Sequence, residues 1–414
     1  MLKTLPSVQS VDEALNPVLR QMEDRGVLLD VGYLETVAVD LADQLAELER
    51  QIFEAVGHPF LISSPKQLGQ VIYSELHLDQ ADGVNIRKKT TGLSTGAAEL
   101  AKLQGSHPVI DLILKYREVG KLLSTYVLPL PQLVDSSNRL HTSYAPNAAS
   151  GRLSSRKPNL QNIPIRTELG RTIRRAFIAS PGTILVSADY SQIELRVIAH
   201  LSQDPTMLEV FQTGGDIHAK TSEALGIGRR AAKAVNFGIF YGLSAYGLAE
   251  SLAVSREEAQ TFIDGYLGAY PVAAAYIDQL IRQARESGYA ETMLGKRRLL
   301  PELSSHNEYI RRAAERVAIN HPIQGTAAEI MKLAMVLVPK ELADHTCCPM
   351  ILQVHDELIF EVQADHLEAV APRVVKVMEG VIELAIPLLV DLETGPNWAE
   401  MVARPRAQKN TVGL

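Results

Sequence analysis

The chain has 414 residues, 46% hydrophobic and 21% charged, which is enough for two or three subdomains around a sizeable core. A net charge of −7, from 41 basic and 48 acidic side chains, gives no global sign of a polyanionic partner, so any such sign has to be local. The only two cysteines, Cys347 and Cys348, are adjacent, which excludes a disulfide framework and a zinc site, and neither an apolar leader nor an uninterrupted apolar run of about 18 residues is present, so a cytosolic protein is expected.

In chain order, Tyr33, Leu34, Val37, Leu41, Leu45, Leu48 and Ile52 recur at helical spacing and predict a long amphipathic helix over 33–56. Helical segments follow around 65–77 and 107–126. The polar stretch between them (81–96, ADGVNIRKKTTGLSTG) reads either as a tip that grips nucleic acid or as a plain loop. From about 139 the texture shifts to short runs with turn residues. Residues 151–175 carry Arg152, Arg156, Lys157, Arg166, Arg171, Arg174 and Arg175 against one acid, Glu168, which is either a solvated face or a phosphate contact. Residues 201–335 read as mostly helix, 350–362 as two strands, and the tail after about 403 as polar and disordered. This order predicts an α+β protein whose sheet is assembled from distant segments.

Three segments carry candidate chemistry. In ILVSADYSQIELR an apolar strand ends at Asp189, and a carboxylate there is costly unless capped, paired or metal-bound. The plain alternatives are a helix cap by Asp189 or a capping box from Ser191 to Glu194. In MILQVHDELIFEV two apolar runs flank His355-Asp356, a poor choice for a tight hairpin turn, where Asn-Gly or Asp-Gly is preferred. Asp356 and Glu357 there suit a hard divalent cation such as Mg²⁺; an exposed acidic turn is the alternative. In RRAAKAVNFGIFYG, residues Arg229, Lys233, Phe237 and Tyr241 recur every fourth position and share one helix stripe about 18 Å long. Two cations followed by two rings match a nucleotide, with phosphates at one end and sugar and base at the other. Gly238 and Gly242 each cost about 1 kcal/mol in a helix interior and point to a close approach.

DYSQIELR resembles motif A of the family A DNA polymerases, RRAAKAVNFGIFYG motif B and QVHDE motif C. GRLSS…PNLQNIP and NHPIQGTAAEIMK are similar to further family segments in the same order, and the likeness runs from MEDRGVLLD (22–30) to GPNW (395–398). The resemblance implies a right-hand polymerase fold. Residues 1–30 would lead in to the palm, 31–135 form the thumb, 136–200 and 325–402 the palm, and 201–324 the fingers, with 403–414 a disordered tail. It further implies that Asp189 and Asp356, with the Tyr190 carbonyl, bind two Mg²⁺ (Mn²⁺ able to substitute), with Glu357 accessory. Arg229, Lys233 and His218 would hold the triphosphate, Lys233 acting as acid toward pyrophosphate. Phe237 would pack on the sugar and Tyr241 near the templating base, while Glu194 and Tyr241, with Gln192 beside them, would exclude a 2′-OH. Arg152, Asn159, Asn162, Arg316, Gln324 and His355 would track the duplex, and Arg117 and Lys121 would reach it from the thumb.

The implied partners are primer–template DNA and dNTPs, for a monomer without membrane contact in a bacterial-type cytoplasm at the nucleoid. There are two departures from the family pattern. Only ten residues separate His218 from Arg229, a shorter connection than relatives commonly carry, and Leu123 stands where many relatives have a basic residue. About 30 residues precede the thumb-like helix, too few for a proofreading domain, so extension without trimming is expected. A single-subunit RNA polymerase is disfavoured by Glu194. A dead DNA clamp is disfavoured by intact Asp189, Asp356 and Lys233, and a nuclease by the cation–aromatic helix.

Overall fold

The computed structural model describes residues 6–80, 86–89, 92–146, 150–165, 167–344 and 348–406. The run TILVSADY is the strand β1 (Thr183–Tyr190), and its consecutive Ile184, Leu185 and Val186 do not alternate with polar residues because both faces of the strand are covered. Val186, Ala188 and Tyr190 point into one core, and Leu185 points into another. β1 is the centre of a five-stranded sheet with β2 (Met350–Val354), β3 (Glu357–Gln363), β4 (Val390–Gly395) and β5 (Val402–Arg404). The strand order is β2-β3-β1-β4-β5, and every neighbouring pair is antiparallel. The expected pair of strands in 350–362 is present, joined at His355-Asp356.

Residues 8–25, read from sequence only as a lead-in, form a helix, α1 (Val8–Arg25). Ser7 caps it and its Val11, Leu15, Leu19 and Met22 are buried. The predicted helix over 33–56 is α2 (Val31–Val56). Asp30 accepts from the Tyr33 amide at 2.9 Å at its start, and Gly57 ends it at φ +90°. The segment near 107–126 is α3 (Pro108–Leu122), continued by a π-helical turn, Leu123–Val127. Leu34, Val37 and Leu41 of α2 meet Val119 and Leu122 of α3 in the core under Leu185. Ile52 and, on α3, Ile110 and Ile113 build a separate third core at the far end. Part of the polar stretch 81–96 is anchored rather than loose: Ile86, Ser94 and Thr95 are buried and Lys88–Lys89 pairs with Gly92–Leu93. Residues 81–85, 90 and 91 lie outside the described residues.

After β1 the chain is mostly helical, as expected. It runs through α4 (Ile193–Ser202), α5 (Pro205–Gln212), α6 (Ile217–Leu225), α7 (Arg229–Phe240), α8 (Ala245–Leu252), α9 (Arg256–Ala269), α10 (Pro271–Ser287) and α11 (Glu308–Glu341). A short hairpin, Tyr289–Glu291 with Arg297–Leu299, interrupts the helices. α11, together with α1 and α12 (Leu367–Gly380), supplies the core under Val186 and Ala188. Asp204 is fully buried and joins two of these helices. Its Oδ1 accepts from Thr206 and Met207 at the start of α5, and its Oδ2 accepts from Val272 and Ala273 at the start of α10, each at 3.0–3.1 Å.

Disorder was expected after about 403, but the ordered chain continues further. Arg404 lies in β5 and pairs with Glu368 at 2.5 Å, and Arg406 pairs with Asp391 at 2.6 Å. Residues 407–414 lie outside the described residues, as does Cys347; Cys348 is buried.

Candidate active site

Strand register brings together carboxylates that are far apart in sequence. Glu357 on β3 and Asp391 on β4 sit directly opposite Asp189 on β1, so all three project from one face of the sheet. The Tyr190 amide donates to the Asp356 carbonyl at 3.0 Å, which ties the end of β1 to the hairpin tip. His355 takes φ +53° in that turn, a left-handed conformation that a bulky side chain seldom adopts. Neither plain alternative for Asp189 holds. The N-cap of α4 is Gln192, at φ +54° and without a side-chain cap bond, so neither Asp189 nor a Ser191–Glu194 capping box starts that helix.

The crowding has electrostatic consequences. Packing at the sheet end, then the charges of Glu357, Asp356, Asp391 and Glu393, push the Asp189 carboxyl up to about 8, although its tip meets solvent. Burial raises the Asp356 carboxyl against the opposing pull of Arg152. Burial also raises Glu357, in spite of the Ser187 hydroxyl that donates to it at 2.5 Å and the nearby Arg174. Burial and the cations Arg152 and Arg174 lower the His355 ring.

A second set of contacts runs from the helices toward this row. His218 lies 5.7 Å from the Phe237 ring, and Phe237 stacks on Tyr241 at 6.3 Å and 15°. The Tyr241 hydroxyl donates to Glu194, and Arg152 pairs with the other oxygen of Glu194. Glu194 is only 6% exposed, and its pKa is raised by burial while Arg152 and Tyr241 pull it back. The stripe read from sequence is therefore real, with one amendment. α7 ends at Phe240, Tyr241 is its C-cap, and Gly242 lies beyond it at φ +66°. The close approaches inferred at the glycines come from within the chain. A Cβ at Gly242 would meet Arg316 Cγ at 2.6 Å, and one at Gly238 would meet Leu243 at 2.8 Å.

The candidate cations are not equally free. Lys233 is exposed, whereas Arg229 is held by Asp216 at 2.7 Å. Arg117, placed in the thumb as a DNA contact, donates to the Thr95 carbonyl; Lys121 is exposed at the end of α3. Asn159 caps a short 3₁₀ turn through the Gln161 amide, and the Asn162 carbonyl accepts from Tyr126 at 2.9 Å. Gln324 lines a small cavity with Glu194, Phe237, Tyr241 and Asn320, and Arg152, His355, Asp356 and Lys332 line its neighbour. Roomier hollows lie elsewhere, between α1 and the end of α11 and between α12 and β4.

The basic run 151–175 does not present one solvated face. Arg174 is buried with its guanidinium 3.8 Å above the Trp398 ring, and Arg175 pairs with Glu400 at 2.8 Å. Arg156, Lys157 and Arg171 are exposed, and Arg166 lies outside the described residues. Sequence reasoning did not single out Asp391, Ser187 or Asp216. Only Asp216 had a local signal, its place just before an apolar-periodic segment.

A model of DNA polymerase family A matches residues 31–400. The chain is 47% identical over 401 residues to the thermostable DNA polymerase I of Thermus aquaticus, covering 94% of this chain and 48% of that protein. It is 48% identical over 400 residues to DNA polymerase I of Deinococcus radiodurans, covering 94% of this chain and 41% of that one. The chain thus spans about half the length of the curated relatives it matches. Among solved structures it superposes on the POL domain of Pol1 from M. smegmatis, in complex with DNA primer-template and dNTP. The TM-score is 0.89 at 40% identity, covering 94% of this chain and 70% of that one. Among the described residues no helix is long and apolar enough to cross a membrane.

Proposed function

The chain belongs to DNA polymerase family A and has the right-hand polymerase fold, and we propose that it extends a primer 3′-OH with dNTPs on a DNA template. The observation that carries this reading is the meeting of Asp189 with the Asp356–Glu357 hairpin tip, beside the Glu194–Tyr241–Phe237 series. Thumb, palm and fingers would divide near 135, 200 and 324, and the protein would act as a monomer.

The donor set fits hard divalent cations. Asp189 and Asp356 offer oxygen ligands in an excess of negative charge, and a dication would offset the burial and the neighbouring charges that together raise Asp189 to about 8. Among the described residues no group of three or more His, Cys, Asp or Glu side chains is placed to hold a metal ion by itself, so any Mg²⁺ here would need waters and substrate phosphates as further ligands. Asp189, Asp356 and the Tyr190 carbonyl would hold two such ions, which would acidify the primer hydroxyl and neutralise the triphosphate.

The remaining roles belong to side chains. Lys233 and Arg229 would hold the triphosphate, with Lys233 protonating the departing pyrophosphate. Phe237 would pack on the sugar. Glu194, fixed by Arg152 and Tyr241, would stand where a 2′-OH would lie, which favours dNTPs over rNTPs. Arg316, Gln324 and His355 would follow the duplex. The test is extension of a labelled primer with Mg²⁺. Asp189→Asn and Asp356→Asn should each abolish extension and leave duplex affinity within about threefold, because only metal-site charge is lost. If either variant keeps a tenth of the wild-type rate, the assignment is wrong.

A further inference from the structure

The structure assigns Asn236, a residue with no surface of its own, as the positioning residue that holds His218 with its proton on Nε2, ready to donate to an anionic oxygen. Asn236 and Thr221 are fully buried, and Tyr270 is 1% exposed. They form one chain of polar contacts between α6, α7 and the junction of α9 with α10. Asn236 Nδ2 lies 2.9 Å from the Ala232 carbonyl and 3.1 Å from His218 Nδ1. A carbonyl only accepts, so the atom facing Ala232 must be the amide nitrogen. Its second N–H then points at His218 Nδ1, which must accept and therefore carries no proton.

The far side of the amide agrees with this orientation. Asn236 Oδ1 faces Thr221 Oγ1 at 3.1 Å, and Thr221 in turn meets the Tyr270 hydroxyl at 2.9 Å and the Ile217 carbonyl at 2.9 Å. Thr221 can donate to Oδ1 while accepting from Tyr270, so the chain is satisfied with the amide in this orientation and not when flipped. A neutral ring with Nδ1 accepting carries its proton on Nε2. Nε2 has no hydrogen-bond partner among the described residues, and it is not one of the buried polar atoms left orphaned.

The charges around the ring are compatible with that neutral state. Burial lowers its pKa, Asp216 opposes, and Lys233 and Arg229 add to the lowering. Phe237 fixes the ring plane from the side at 5.7 Å. His218 is thus a directional, uncharged donor beside two cations. The amide that orients it sits on the same helix as Lys233 and Phe237, so phosphate grip and sugar contact are set by one element.

This inference rests on the reading of His218 as a triphosphate contact, and the experiment separates the two. Nitrogen chemical shifts of His218, assigned by comparison with His218→Gln in the ¹⁵N-histidine-labelled chain, report the tautomer without any substrate. Wild type should show an unprotonated Nδ1 at pH 7.5. Asn236→Leu should lose that single tautomer, and Asn236→Asp should raise the ring's pKa by offering Nδ1 an acceptor. In single-nucleotide extension, Asn236→Leu should raise KM for dNTP roughly tenfold with kcat within about threefold, the size of one lost hydrogen bond to a charged group. Thr221→Val should shift both readouts in the same direction and by less, which keeps the test alive if the Asn236 variants fold poorly. A proton on Nδ1 in wild type overturns the inference whatever the kinetics. The expected tautomer with KM unmoved in every variant removes His218 from the triphosphate and takes the inference with it.

Discussion

Glu194 carries more partners than a wall residue needs. Its two oxygens are taken by Arg152 and by the Tyr241 hydroxyl, so removing it does two things. Glu194→Ala would open space beside the sugar and raise rGTP use relative to dGTP roughly tenfold to a hundredfold, the range for losing one shape contact. It would also leave a half-buried guanidinium unpaired, which lowers the Tm, whereas Glu194→Gln should keep most of the stability. An unchanged rGTP to dGTP ratio in Glu194→Ala would place the sugar elsewhere. Asp189 gives the pH dependence. Its folded pKa, about 8, lies above the ordinary carboxyl value of 3.8, so folding favours the protonated form. The stability this gives is fully present below about pH 4 and is lost as pH rises through 8. In EDTA, Asp189→Asn should therefore melt above wild type at pH 9, with the gap closing toward pH 4. Saturating Mg²⁺ should shrink the gap at pH 9, because wild type then gains a ligand the variant binds poorly. Equal melting temperatures at pH 9 in EDTA would mean the carboxylates do not crowd as described.

At the scale of elements, the link between α6 and α7 is three residues long, Gly226 to Gly228, and Asp216 spans it by pairing with Arg229. The same aspartate caps α6 through the His218 amide at 2.9 Å. Asn caps as well as Asp, so Asp216→Asn removes the ion pair and leaves the helix start intact. Arg229 is then free for phosphate, and KM for dNTP should fall, by no more than about fivefold because the pair is exposed. A rise in KM would show instead that Asp216 presents Arg229 to the ligand. The legibility of the fold divides along the same line between local and distant partners. The β2–β3 hairpin and the α7 stripe were readable because apolar runs and four-residue spacing lie within one segment. α1 was not read although Val11, Leu15, Leu19 and Met22 recur at helical spacing, because Pro17 stands inside the pattern. Asp204 gave no sign of joining two helices, because the second begins far along the chain. Arg174 read as one more cation in a basic run, solvated or phosphate-bound, and only the fold brings Trp398 beneath it. Asp391 had no motif around it, and strand register alone makes it a neighbour of Asp189.

For the molecule as a whole, the groups assigned to chemistry among the described residues all lie about one end of the sheet, and on the proposed function that restricts what the chain would do to a DNA end. The carboxylates crowd at one end of a single five-stranded sheet, and the helix that carries the exposed Lys233 and the Asp216-held Arg229 is capped at its end by Tyr241, whose hydroxyl donates to Glu194; on the proposed function the triphosphate would lie along that helix. Removing a nucleotide at such a site is extension run backward: pyrophosphate must occupy the cations and attack the terminal phosphodiester. Hydrolytic trimming needs instead a water held between carboxylates with the primer's last nucleotide melted into them, and the cation–aromatic stripe has no part in that. Without pyrophosphate, therefore, the chain should leave a primer end intact even when the end is mispaired. A 5′-labelled primer with a 3′-terminal mismatch, incubated with Mg²⁺ and no dNTP, should keep its length for as long as the matched control. Addition of pyrophosphate should shorten the matched primer, and Asp356→Asn should abolish that shortening too. Stepwise loss of nucleotides without pyrophosphate, persisting in Asp356→Asn, would require a second hydrolytic centre within these residues. It would also break the assignment of all their metal chemistry to the end of β1.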